Sequence, residues 1–176
     1  MKHTTKVRHF CHEMYEKVSD YFETDSKGYY KESKVGFFGL VFNPNNGGLW
    51  NFDILSVYRY FQEEAYIQSR MHDPHIKGPQ ALEWGVWLGR QSEDDNWSHS
   101  FDAVIISTPH LYYYKNIDKM AHLCKPDKRC LFLDLFGGLV SVESIGDHID
   151  YVSFLETTKK WGIGGGLLNQ VPKLGN

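Results

Sequence analysis

Three segments of the sequence carry residue types that could do chemistry, and each follows an apolar run. Asn43-Pro44-Asn45-Asn46-Gly47-Gly48 follows Val35–Phe42, Ser107-Thr108-Pro109-His110 follows Phe101–Ile106, and Asp134 lies in Cys130–Phe136 just before Gly137-Gly138. The side-chain amides of Asn43, Asn45 and Asn46 can both donate to and accept from a polar ligand. Ser107 and Thr108 offer hydroxyls, His110 offers an imidazole, and Asp134 offers an acceptor or a base. Tyr112 adds a ring that can stack on a ligand. The expectation is therefore that His110 and Asp134 are catalytic and that Asn43, Asn45, Asn46, Ser107, Thr108 and Tyr112 bind the ligand. Turns use these same residue types for conformational reasons alone, so the expectation requires the three segments to meet at one edge of the fold.

Other clusters point less far. His9, His12 and Glu13 have helical neighbour spacing, but the apolar face of that helix runs through Val7, Phe10, Cys11, Met14 and Val18. The two histidines and Glu13 then face away, and a zinc site needs three or four converging ligands. His72-Asp73-Pro74-His75 could bind a metal or act as an acid–base pair, although a surface turn after a helix has the same composition. Neither His72/His75 nor His9/His12 is assigned as a metal site. There is no G-x-G-x-x-G between a strand and a helix, no G-x-x-x-x-G-K-[ST] and no G-x-S-x-G. A standard dinucleotide, nucleoside-triphosphate or serine-hydrolase site is not expected.

The elements that must position these residues follow from hydrophobic periodicity. Residues 5–24 read as an amphipathic helix ending near Gly28. Val35–Phe42, Phe101–Ser107 and Cys130–Phe136 are apolar throughout, as strands buried on both faces are. Helices are predicted at Phe52–Arg70, Pro79–Arg90 and Tyr112–Cys124, with a polar connection at Met71–Lys77. Ile149–Phe154 mixes apolar and polar positions and reads as an antiparallel edge strand. The alternation predicts an α/β fold: a single domain over 1–161 with a small, mostly parallel sheet flanked by helices, then a Gly-rich tail over 162–176.

The stretch Phe101–Gly138 resembles in layout the later half of a Rossmann-like domain. A strand Asp-Ala-Val-Ile-Ile-Ser is followed by a helix, a Lys-Pro-Asp stop and a strand Leu-Phe-Leu-Asp-Leu. The layout is similar to S-adenosylmethionine-dependent methyltransferases and to some dehydrogenases, over about a fifth of the chain. The glycine-rich first turn of those families is absent, and Val41-Phe42-Asn43-Pro44-Asn45-Asn46 stands in its place. Such a layout implies ligands beyond the carboxyl ends of the strands.

Composition bounds the function. The chain has 176 residues, with 19 Lys+Arg against 22 Asp+Glu for a net charge of −3. No basic cluster exceeds a pair, which disfavours general nucleic-acid binding. No apolar run approaches the roughly 20 residues of a membrane span, and no secretory leader is evident after Met1. Three cysteines in no framework spacing suggest reduced thiols and a cytoplasmic setting. Together these readings predict a small domain that binds a nucleotide-like or other small polar metabolite at the carboxyl edge of its sheet. It could also act on that ligand by transferase- or hydrolase-type chemistry; no cofactor is specified, and a homo-oligomer is compatible. The alternative is a non-catalytic interaction protein, sequestering a ligand or inhibiting a macromolecule through exposed aromatics such as Tyr112 and Trp87.

Overall fold

A computed structural model describes residues 5–40, 52–65, 67–76, 86–87, 99–138 and 145–163. Six strands form one sheet: β1 (Lys34–Phe38), β2 (Gln68–His72), β3 (Val86–Trp87), β4 (Ala103–Ile106), β5 (Cys130–Asp134) and β6 (Ile149–Ser153). Their spatial order is β3-β2-β1-β4-β5-β6, and every neighbouring pair is parallel. This is the strand order of the doubly wound Rossmann sheet. The order reverses between β1 and β4, in register from Val35↔Ala103 to Phe38↔Ile106.

The strands are apolar throughout because both faces are covered. Val35, Phe37, Ala103, Ile105, Leu131 and Leu133 point to one side and pack with helix α1 (Thr5–Ser19), α2 (Phe52–Arg59) and the segment after β6. Phe38, Val104, Ile106, Cys130 and Phe132 point to the other, under the short helices α3 (Leu111–Lys115) and α4 (Ile117–Ala121). The apolar stripe of α1 is buried at Val7, Phe10, Cys11, Met14 and Val18, as its spacing predicts. Its opposite face is not simply solvated. His9 stacks on Trp161 of α5 (Leu155–Trp161) at 5.0 Å, and Glu13 accepts hydrogen bonds from Lys160 and Trp161. Ile163, placed by the sequence in the tail, is fully buried in the first core.

Several expected elements differ. The edge strand β6 is parallel to β5, not antiparallel. Its mixed pattern reflects the thinner cover of an edge position, and burial alternation carries no information on strand direction. The long helix expected over Phe52–Arg70 stops at Arg59. It passes through a π-helical turn, Tyr60–Glu64, and the chain then turns into β2. Val86–Trp87, expected within a helix, form β3. The helix expected over Tyr112–Cys124 is broken at Asn116 into α3 and α4. Cys124 and Cys130, expected as thiols, form a disulfide with Cα atoms 6.0 Å apart, while Cys11 is free and buried. Asn43, Asn45, Asn46, the rest of the Pro79–Arg90 helix and the tail beyond Ile163 lie outside the described residues. Among the described residues, no helix is long and apolar enough to cross a membrane.

Candidate functional site

The site is built at the carboxyl ends of β2, β1 and β4. Beyond β1 the chain reaches Gly39, which has φ +108°. A Cβ at Gly39 would lie 2.4 Å from the Thr108 Cβ and 2.5 Å from its backbone nitrogen, so only glycine lets β1 and β4 close together here. The closure is tied by hydrogen bonds. The N–H groups of Ser107 and Thr108 donate to the Phe38 carbonyl at 2.9 and 3.3 Å, and Ser107 Oγ donates to the Gly39 carbonyl at 2.7 Å. Ser107, Thr108 and His110 are all fully buried.

One residue past β2, Asp73 faces the same point. Its Oδ2 lies 3.0 Å from His110 Nε2 and accepts the Leu40 N–H at 2.8 Å. Its Oδ1 accepts the His75 N–H at 2.9 Å. Burial alone would push the Asp73 carboxyl up. The hydrogen bond and charge of His110, with the N–H groups of Leu40 and His75, outweigh it and hold the carboxyl below its ordinary value. The result is a buried carboxylate–imidazole pair at the topological switch point. The half-buried His75 ring packs 4.7 Å from that of His110.

Around this pair lies an aromatic layer. Tyr113 is buried and donates its hydroxyl to the His72 carbonyl at 2.8 Å. His72 Nδ1 is 3.1 Å from the same hydroxyl oxygen. Burial pushes His72 down from 6.5 to about 4. The unfolded chain therefore takes up a proton at His72 as pH falls through 6.5, whereas the folded chain resists until about 4. The stability this group confers is complete above pH 6.5 and is lost toward pH 4, by about 3 kcal/mol. Urea unfolding of wild type and His72→Asn from pH 7 to pH 4 measures it. The asparagine amide can still donate to Tyr113 but does not titrate, so the two curves should converge or cross as pH falls. Parallel curves would remove His72 as the source.

Asp134 stands apart from this pair. Its Oδ1 accepts from Phe136 N at 2.9 Å, Gly137 N at 3.0 Å and the Tyr114 hydroxyl at 3.3 Å. Its Oδ2 accepts from Gly138 N at 3.0 Å and the Tyr151 hydroxyl at 2.8 Å. Burial raises the carboxyl, against these donors. The Tyr114 ring packs on Gly138, where a Cβ would lie 2.4 Å from it. Asp134 thus organises the turn after β5 and fastens α3 to it through Tyr114.

The structure therefore brings Ser107, Thr108 and His110 together at the β1–β4 crevice. It places Tyr112 on the adjacent first turn of α3 and gives Asp134 to a neighbouring turn. In the sequence Asp73 stood in the His72-Asp73-Pro74-His75 cluster, a possible acid–base pair that also has the composition of a surface turn, because the helix was expected to reach Arg70 and Met71–Lys77 to be a polar connection. The structure buries Ser69 and Met71 and leaves Gln68 exposed and Arg70 half-buried, an alternation that the polar residue types do not show. Among the described residues, no three His, Cys, Asp or Glu side chains converge to hold a metal ion.

A cavity of about 230 Å3 lies at the amino edge, lined among others by Phe22, Tyr30, Ser33, Ile67 and Gln68. In dinucleotide-binding sheets an acidic residue near the end of the second strand receives the ribose hydroxyls. Here the carboxylate in that region, Asp73, is turned inward and held by Leu40, His75 and His110.

Strand order and switch-point geometry together define a Rossmann-like α/β domain. No family model matches the sequence, and no curated protein matches it at a significant level. Among solved structures, the chain is similar to a UDP-N-acetyl-mannosamine dehydrogenase from S. aureus, with a TM-score of 0.56 and 16% sequence identity. The match covers 87% of this chain and 31% of the dehydrogenase, so the chain spans about a third of that protein's length.

Proposed function

We propose that the chain binds a nucleotide-like polar metabolite at the carboxyl edge of its sheet. The observation that carries this reading is the buried Asp73–His110 pair at the switch point. Burying a carboxylate costs several kcal/mol unless it is fully paired, and paired, buried titratable groups cluster at functional sites. The fold neighbour is named for a UDP-sugar substrate, which makes a nucleoside diphosphate sugar the first ligand class to test. A dinucleotide fits less well, since Asp73 is engaged inward and the glycine-rich fingerprint is absent.

In this reading Asn43, Asn45 and Asn46, which follow β1 in the sequence, supply amide contacts. Ser107 and Thr108 shape the crevice, and His110 is the proton-exchanging group for any turnover. Asp134 acts by holding the turn after β5. A second reading, an interaction protein, draws on Tyr29 and Tyr30, which are 70% and 50% exposed side by side near the amino edge.

Thermal unfolding with UDP, UDP-N-acetyl-mannosamine and NAD tests the first reading. A UDP ligand at one hundred times its dissociation constant should stabilise the chain by about 2.7 kcal/mol, and His110→Ala should reduce that effect. Mass analysis of the incubated UDP-sugar then separates turnover from binding. No stabilisation by any of the three at millimolar concentration, with a self-associated native mass, would shift the assignment to the interaction reading.

A further inference from the structure

We infer that Tyr112 is a stacking platform for a nucleobase, or another flat conjugated ring, at the rim of the carboxyl edge. The inference rests on the nucleotide reading above and places the base of such a ligand. Three successive tyrosines occupy the start of α3, and they do different work. Tyr113 is 1% exposed and donates its hydroxyl to the His72 carbonyl. Tyr114 is 4% exposed and donates to Asp134. Tyr112 is 48% exposed, and its hydroxyl takes no hydrogen bond among the described residues.

Its ring is nevertheless held. The centroid lies 6.3 Å from the His72 imidazole with 27° between the planes, and 5.9 Å from Tyr113, edge to face. One side of Tyr112 is therefore backed by aromatic rings, and its exposure leaves the remaining ring surface to solvent. His72 is a neutral partner near pH 7, because burial keeps it uncharged. A ring already oriented by its neighbours loses little freedom when a ligand stacks on it. The position matters as much as the exposure. Tyr112 lies two residues past His110, beyond the end of β4, whereas Tyr29 and Tyr30 precede β1 near the opposite edge.

Stacking on an aromatic side chain accepts any base, because every base has a π-face. The platform should therefore favour nucleoside diphosphates over a ligand with no base, without strong choice among bases. Calorimetric titration of wild type, Tyr112→Ala and Tyr112→Phe with UDP, ADP and inorganic pyrophosphate tests this. Wild type should bind both nucleotides more tightly than pyrophosphate. Tyr112→Ala should weaken nucleotide binding roughly 5- to 150-fold and leave pyrophosphate unchanged, while Tyr112→Phe keeps wild-type affinity. If Tyr112→Ala unfolds, Tyr112→Leu against Tyr112→Phe makes the same comparison of ring against no ring. Equal UDP affinity with and without the ring overturns the platform and leaves the nucleotide reading standing. Failure of wild type to bind either nucleotide overturns both.

Discussion

Asp73→Ala is expected to lower the free energy of unfolding by about 3–5 kcal/mol, since buried groups left without their acceptor cost about 1–3 kcal/mol each. Three groups lose their acceptor at once. The N–H groups of Leu40 and His75 and the His110 imidazole all donate to, or pair with, this carboxylate. Asp73 and His110 are both fully buried, so water cannot readily replace the lost partner. Asp73→Asn should cost less, because the amide oxygen still accepts one N–H while its NH2 faces another donor. A urea midpoint series gives the three stabilities, and adding His110→Ala completes a double-mutant cycle. The double mutant should cost less than the sum of the singles, since removing both partners leaves no orphaned imidazole. Asp73→Ala within 1 kcal/mol of wild type would mean that the pair does not hold the switch point together.

A comparable loss is expected at the opposite edge, from Asp102→Ala. Asp102 is 1% exposed at the amino end of β4. Its Oδ1 accepts from Lys125 Nζ at 2.8 Å and Lys128 Nζ at 2.7 Å, and its Oδ2 accepts the Lys34 N–H at 2.9 Å. Lys128 Nζ also donates to the Tyr21 carbonyl at 2.6 Å. One carboxylate therefore joins the starts of β1 and β4 and the loop 125–129, and through Lys128 the turn after α1. Both lysine side chains are partly exposed and can turn to water when the carboxylate is gone. The expected cost is accordingly about 2–4 kcal/mol, less than for a fully enclosed pair. Amide exchange should localise it, with protection falling at Lys34 and Lys125 before the centre of the sheet. A uniform loss would argue that the network does not act locally.

The placement of these two networks separates folding from function. Asp102 ties elements at the edge where α/β sheets do not bind ligands, and Asp73 ties them at the edge where they do. A stability cost without loss of ligand binding is the signature expected of Asp102→Ala. Asp73→Ala should cost both.

Much of the fold is legible from composition and periodicity. Val35–Phe38, Ala103–Ile106 and Cys130–Asp134 are apolar on both faces because both faces are covered, and that pattern marks central parallel strands. The stripe of α1 is equally plain, since a single buried face repeats at the helical period. β2 was hidden. Gln68, Ser69 and Arg70 are polar, and they continue a helical pattern whose end is a π-helical turn with no glycine or proline to announce it. The direction of β6 was also hidden, because side-chain burial reports which face is covered and not which way the chain runs.

The sequence alone determined the α/β class and the two-faced core. Those features depend on residue type and short-range spacing. Tertiary structure alone decided that Asp73, not Asp134, partners His110. It also decided that of Tyr112, Tyr113 and Tyr114 only the first faces solvent, and that Cys124 meets Cys130. Each of these depends on strand order and helix rotation, which join residues distant in the chain and which no local pattern encodes.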